Sequence, residues 1–94
     1  MTVYAVQYTY TDDTATLDAV RPEHRAFLRA QLADGALLAS GPLEGGRALL
    51  LLVAEDREGL GALLARDPFA TAGVIASVEV AVWTPVIGPW ADRV

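Results

Sequence analysis

Along the chain the spacing of apolar residues changes period in an orderly way. From Val3 to Thr9 it is two, with Tyr4, Val6, Tyr8 and then Tyr10 on one face and Val3, Ala5, Gln7 and Thr9 on the other, which predicts a strand. The polar group Thr11-Asp12-Asp13-Thr14 breaks it. Pro22 suits a first helical position, and from there to Asp34 the period is that of a helix, with Phe27, Leu28 and Leu32 inward and Glu23, Arg25 and Arg29 toward water. Gly35 ends this helix. Leu37 to Ser40 is a short strand, Gly41 to Gly46 a turn, and Ala48 to Ala54 an apolar run bounded by turn signals and short enough to be a strand. Asp56 caps a second helix, Arg57 to Arg66, whose buried stripe is Leu60, Leu63 and Leu64. After Asp67-Pro68-Phe69, Val74 to Thr84 alternates again as a last strand, followed by a short tail, Pro85 to Val94, that carries Trp90.

The order βαββαβ predicts an α+β ferredoxin-like sandwich, a four-stranded antiparallel sheet with two helices on one face. Its other face is then the question. A strand with one wet face is polar at alternate positions, yet Ala48 to Ala54 is apolar throughout, and the first strand offers apolar residues on both sides. A monomer would expose more apolar surface than is usually tolerated. A homodimer packed sheet on sheet is expected, with the Trp90 tail reaching toward the partner.

Composition removes several classes of function. At 94 residues the chain is expected to form one domain. Cysteine is absent, which excludes a disulfide frame, a thiolate nucleophile and a cysteine metal site; with a single histidine besides, no dedicated metal centre is expected, and the acid/base chemistry considered below requires no cofactor. A net charge of −5 without any lysine argues against nucleic acid as a partner and excludes lysine Schiff-base chemistry. No basic cluster precedes Arg21, and no apolar run approaches the length of a bilayer span, so no membrane partner and a cytoplasmic location are expected.

Chemistry centres on His24, the only histidine, set in Arg21-Pro22-Glu23-His24 on the apolar side of the first helix. With Pro22 as the first helical residue, His24 falls in the first turn. There the helix dipole opposes an imidazolium by about 0.3–1 kcal/mol, whereas a carboxylate within roughly 4–6 Å favours it by about 1–3 pKa units. Asp67 is the candidate carboxylate. The pair would resemble the base and orienting acid of a catalytic triad; alternatively Asp67 only caps a short turn at Pro68, and His24 is a satisfied core residue. Ser40 is a nucleophile, a pocket-lining hydroxyl or a turn residue, and Arg21 is an anchor for an anionic substrate or a solvated surface group. Phe69, beside Asp67, is a further candidate for the substrate pocket. The tyrosines are packing residues or acids, and the Gly45-Gly46 pair is too little for a phosphate loop.

Arg21-Pro22-x-His24, Gly35 followed by Leu37 to Pro42, Asp67-Pro68-Phe69 with Gly73-Val74, and a final strand ending at Trp83 occur in this order over nearly the whole chain. In these features the chain resembles the YciI-like (YCII-related) family. The resemblance implies a dimeric ferredoxin-like fold related to the dimeric α/β barrels, and an active site built on a His and an Asp, which carry over to His24 and Asp67. Related barrel families include muconolactone isomerase-like and dehalogenating enzymes, so by analogy a small organic substrate is expected. The reading is a small homodimeric enzyme in which His24 is the general acid/base and Asp67 orients it, for elimination, isomerisation or hydrolysis. Its rival is a non-catalytic module that binds a small metabolite or a protein through the same cleft.

Overall fold

The computed structural model describes residues 1–92. Strands β1 (Thr2–Tyr10), β2 (Leu37–Leu43), β3 (Arg47–Ala54) and β4 (Ile75–Val82) form one antiparallel sheet in the order β2-β3-β1-β4. Helix α1 (Thr14–Ala33) links β1 to β2, and α2 (Arg57–Ala65) with the short α3 (Pro68–Thr71) links β3 to β4. Each crossover therefore joins two strands that are separated by a third. The sandwich is the one that the sequence predicts, with α3 added. β2 continues through Gly41 and Pro42, where a turn is expected, because it is an edge strand in which the missing proline N–H costs no ladder bond. The hairpin then closes through Glu44-Gly45-Gly46. No described helix is long and apolar enough to cross a membrane.

Tyr4, Val6 and Tyr8 of β1 face the helices together with Ala48, Leu50 and Leu52 of β3, and Leu28, Leu37 and Leu60 pack on them as the main core. Burying side chains of this size contributes about 1.5–3 kcal/mol each.

Helix α1 begins well before Pro22, contrary to the expectation. Asp13 is its cap: Oδ1 accepts the Thr16 N–H at 3.1 Å and Oδ2 the Thr16 hydroxyl at 2.7 Å. The helix runs on through Pro22, which has no N–H to bond the Asp18 carbonyl. The added turns have a function in packing, since Leu17 joins Phe69 and Val74 in a second buried cluster, with Val20 and Tyr10 against it. The inward stripe is Leu17, His24, Leu28 and Gln31. Leu32, expected inward, is 55% exposed, and Gln31, at 5%, takes the inward place. Leu32 lies one position past the helical repeat, which from His24 returns at Leu28 and Gln31. Gly35 ends α1 at φ 82°, with the Ala36 N–H on the Gln31 carbonyl and the Gly35 N–H on that of Leu32. Gly73 repeats this arrangement after α3 at φ 72° and turns the chain into β4.

The face away from the helices is less apolar than expected. Leu49 and Leu51 are half-buried there, but Gln7, Thr9, Ser77 and Glu79 share it, and Val3 and Val53 are already buried within the chain. The tail folds back on its own chain, where Trp90 meets Trp83 edge to face at 6.3 Å. Positions 93 and 94 of the expected tail lie outside the described residues.

The phase of α1 gives a direct test by urea denaturation. Leu28→Ala should cost about 2–5 kcal/mol, as truncation of a buried leucine does. Leu32→Ala should stay within about 0.5 kcal/mol of the parent. Equal losses would place the stripe one position further along.

Candidate functional site

Asp67 stands between α2 and α3 and is fully buried. The reason for its position is local: with Pro68 as the first helical residue, Asp67 becomes the cap of α3, and its Oδ1 accepts the Phe69 N–H at 3.0 Å. The same oxygen accepts from Nδ1 of His24 at 2.8 Å, across 43 residues of sequence. Oδ2 accepts the hydroxyl of Tyr8 at 3.0 Å. The two readings of Asp67, helix cap and histidine partner, are therefore both true of one side chain.

His24 lies in the middle of α1, not in its first turn. The opposition of the helix dipole, which fades beyond the first turn, does not apply to it. Its ring stacks on Phe69 with centroids 3.9 Å apart and planes 11° from parallel. Because Tyr8 and Phe69 both donate to Asp67, the carboxylate is the acceptor in all three bonds, and the His24 proton belongs on Nδ1. That leaves Nε2 with its lone pair. Nε2 makes no hydrogen bond among the described residues, and no fully buried side-chain nitrogen there lacks a partner, so Nε2 is open.

It opens on a cavity of about 290 Å³ between α1, α3 and the β2–β3 hairpin. Arg21, His24, Arg25 and Leu28 form its α1 wall, Phe69 and Tyr10 give aromatic surface, and Ser40, Pro42, Ala48 and Leu50 close the sheet side. All five candidates from the sequence thus converge: Arg21, His24, Ser40 and Phe69 line one cavity, and Asp67 lies behind the imidazole. Ser40 makes no hydrogen bond to His24, so the two do not form a nucleophile and base in contact. Arg21 is paired with Asp18 one turn earlier on the helix.

Two tyrosines gain roles that the sequence reading left open. Burial first, and then the charge and hydrogen bond of Asp67, push the Tyr8 phenol far above its ordinary range, so Tyr8 remains a hydrogen-bond donor. A mid-strand tyrosine on a core-facing row was the available signal, because a buried phenol needs a polar partner. Tyr10 is raised by burial and then by Asp67, with Arg21 acting in the opposite direction. A register shift between Thr9 and Tyr10 on the β4 side places the irregularity beside the cavity that Tyr10 lines.

The sequence pattern of the YCII-related domain matches residues 1–84. None of the curated proteins matches the chain in sequence. Among solved structures, the chain is similar to the 5-chloro-2-hydroxyhydroquinone dehydrochlorinase TftG from Burkholderia phenoliruptrix AC1100 in complex with 2,5-dihydroxybenzoquinone, with a TM-score of 0.77 and 18% identity over 86% of this chain and 92% of that one. It is also similar to a putative antibiotic biosynthesis monooxygenase from Bacteriodes thetaiotaomicron VPI-5482, with a TM-score of 0.61 and 13% identity over 94% of this chain and 91% of the other. A second antibiotic biosynthesis monooxygenase gives 0.58 at 16% identity, covering 93% of this chain and all of its own. At these identities the likeness is one of fold.

Tyr8 gives a stability test with a definite sign. Its folded-state pKa is raised, so its contribution is fully present below the ordinary tyrosine value near 10 and is lost as pH climbs above it. Tyr8→Phe should lose about 1–3 kcal/mol at pH 7, since a buried carboxylate oxygen is left without its donor. Above pH ~10 the parent should lose stability more steeply than the variant. Denaturant titrations between pH 7 and 11 measure both; parallel curves would show that Tyr8 ionises freely.

Proposed function

This chain belongs to the YCII-related family, and from that membership and the geometry above we propose that it is a small-molecule enzyme in which His24 is the general base and Asp67 its positioning residue. One observation carries the proposal: Nδ1 of His24 is committed to a buried carboxylate while Nε2 faces a cavity with its lone pair free. An imidazole held in one tautomer and one orientation is ready to remove a proton. Stacking on Phe69 and the short bond to Asp67 restrain the ring, and Asp67 offsets the positive charge that the ring gains.

The reaction class that fits best is elimination, with isomerisation beside it. Nε2 takes a proton from an acidic O–H or C–H of the substrate, the freed electron pair forms a new π bond, and the leaving group departs with the pair of the bond that breaks. In isomerisation the same nitrogen returns the proton at a different carbon. The imidazolium gives its proton to water after an elimination. The similarity in fold to a dehydrochlorinase supports elimination, with chloride as one possible leaving group. Hydrolysis is less well supported, because Ser40 and His24 are not in contact.

The working unit is proposed to be a homodimer. Ile87 is 96% and Val86 76% exposed, and the half-buried Leu49 and Leu51 lie on the uncovered sheet face. Such apolar surface is characteristic of an interface between copies.

A screen of halogenated phenols and quinols, lactones and esters tests the chemistry. On any substrate found, His24→Ala and Asp67→Asn should each lower kcat by on the order of 10² or more. Asparagine can still cap α3, so Asp67→Asn should retain the fold and lower kcat more than it raises KM. Tight binding without turnover across the screen would make the protein a binding module instead.

Light scattering during size exclusion tests the dimer. At micromolar concentration the mass should be twice the chain's 10.0 kDa, and Ile87→Glu with Leu49→Glu should shift it toward the single-chain value. A soluble 10.0 kDa parent would end the dimer proposal.

A further inference from the structure

The cavity wall differs in charge from the rest of the molecule. The chain has seven arginines, no lysine and a net charge of −5, yet Arg21 and Arg25 both line this cavity, and no aspartate or glutamate does. They are four residues apart on α1, with His24 between them in sequence and adjacent on the helix surface, so the three side chains leave one patch. Arg21 is steadied by Asp18. Arg25 takes part in no ion pair and no hydrogen bond among the described residues. It is a permanent positive charge on the cavity that His24 also lines, with no counterion among the described residues. Beside these cations Tyr10 and Phe69 give the cavity aromatic surface and Leu28 and Leu50 aliphatic surface, with the Ser40 hydroxyl on the sheet side.

We propose that the ligand of this cavity is a planar organic anion, a carboxylate or an ionised phenol or enol, whose anionic group is met by Arg25 with support from Arg21 and whose ring lies against Phe69 and Tyr10. Binding on its own is independent of any catalysis. Combined with His24 as base, it deepens the reading above, because removing a proton from a substrate places negative charge on it. A guanidinium at that point stabilises the charge as it develops. The positive patch also draws anions into the opening of an otherwise acidic protein.

Benzoate and benzamide, equal in shape and different in charge, are suitable probes, with calorimetry for affinity and the NMR signals of the single histidine to locate binding. Benzoate should bind at least about tenfold more tightly than benzamide and should weaken as salt is raised. Arg25→Gln should abolish the preference, and Arg25→Lys should restore part of it. Arg29→Gln, one turn on and outside the cavity lining, should leave it unchanged. Equal affinity for the two probes, no benzoate binding at millimolar concentration, or an unaltered preference in Arg25→Gln would each overturn the inference. The parent protein separates the two readings. If it shows the benzoate preference while turning over no substrate in the screen, the anion site stands and the enzyme reading falls. Turnover of neutral substrates without any preference for anions would have the opposite meaning.

Discussion

The buried carboxylate of Asp67 is the constraint on which the rest of the structure depends. A carboxylate removed from water is tolerated only when its oxygens are met by donors, and here three arrive from three elements: the Tyr8 hydroxyl from β1, the His24 ring from α1 and the Phe69 N–H from α3. Each donor is in turn fixed by what surrounds it. Tyr8 stands on a central strand, His24 is pressed on Phe69, and Phe69 is enclosed by Leu17 and Val74. The apolar packing and the polar network therefore specify the same arrangement, and a shift in one strand or helix would leave charge unsatisfied in the core.

Much of this was legible in the chain. Alternation in β1 and β4, the bounded apolar run of β3 and the caps at Asp56 and Asp67 marked elements through purely local rules. His24 stood out as the only histidine, on the apolar side of its helix, and Asp67 stood out among twelve acidic residues by its setting in Asp67-Pro68-Phe69 and by the family resemblance. What local rules missed has a physical pattern. Pro22 looked like a helix start, since proline favours that position, and the true start at Asp13 was hidden among threonines of modest helix propensity. Leu32 looked buried by its hydrophobicity, whereas tertiary packing selected the polar Gln31 by phase. Tyr8 could be assigned to the core from its strand face, but its bond to a residue 59 positions away could not be read from periodicity.

The missed turns of α1 matter more for the site than the turns that were anticipated. Leu17 and Val20, which precede Pro22, pack in the cluster of Phe69, the α3 residue whose N–H Asp67 caps. A helix beginning at Pro22 would have left Phe69 without these two neighbours. The site is thus held by a long helix that touches it twice, once through packing and once through His24.

The separations along the chain have a consequence for how the protein comes to exist. The bonds from His24 and Tyr8 to Asp67 span 43 and 59 residues, so neither can form within a local hairpin or a single helix; only the Phe69 N–H, two residues on, is local. The entropy of closing such loops must be met by the sheet and the helix docking together, which makes the carboxylate network a late event in folding, reached after most of the topology is set. Up to that moment Asp67 remains hydrated and the imidazole is unrestrained. The pairing of acid and base therefore waits on the docking of β1 and α1 against the segment that carries Asp67.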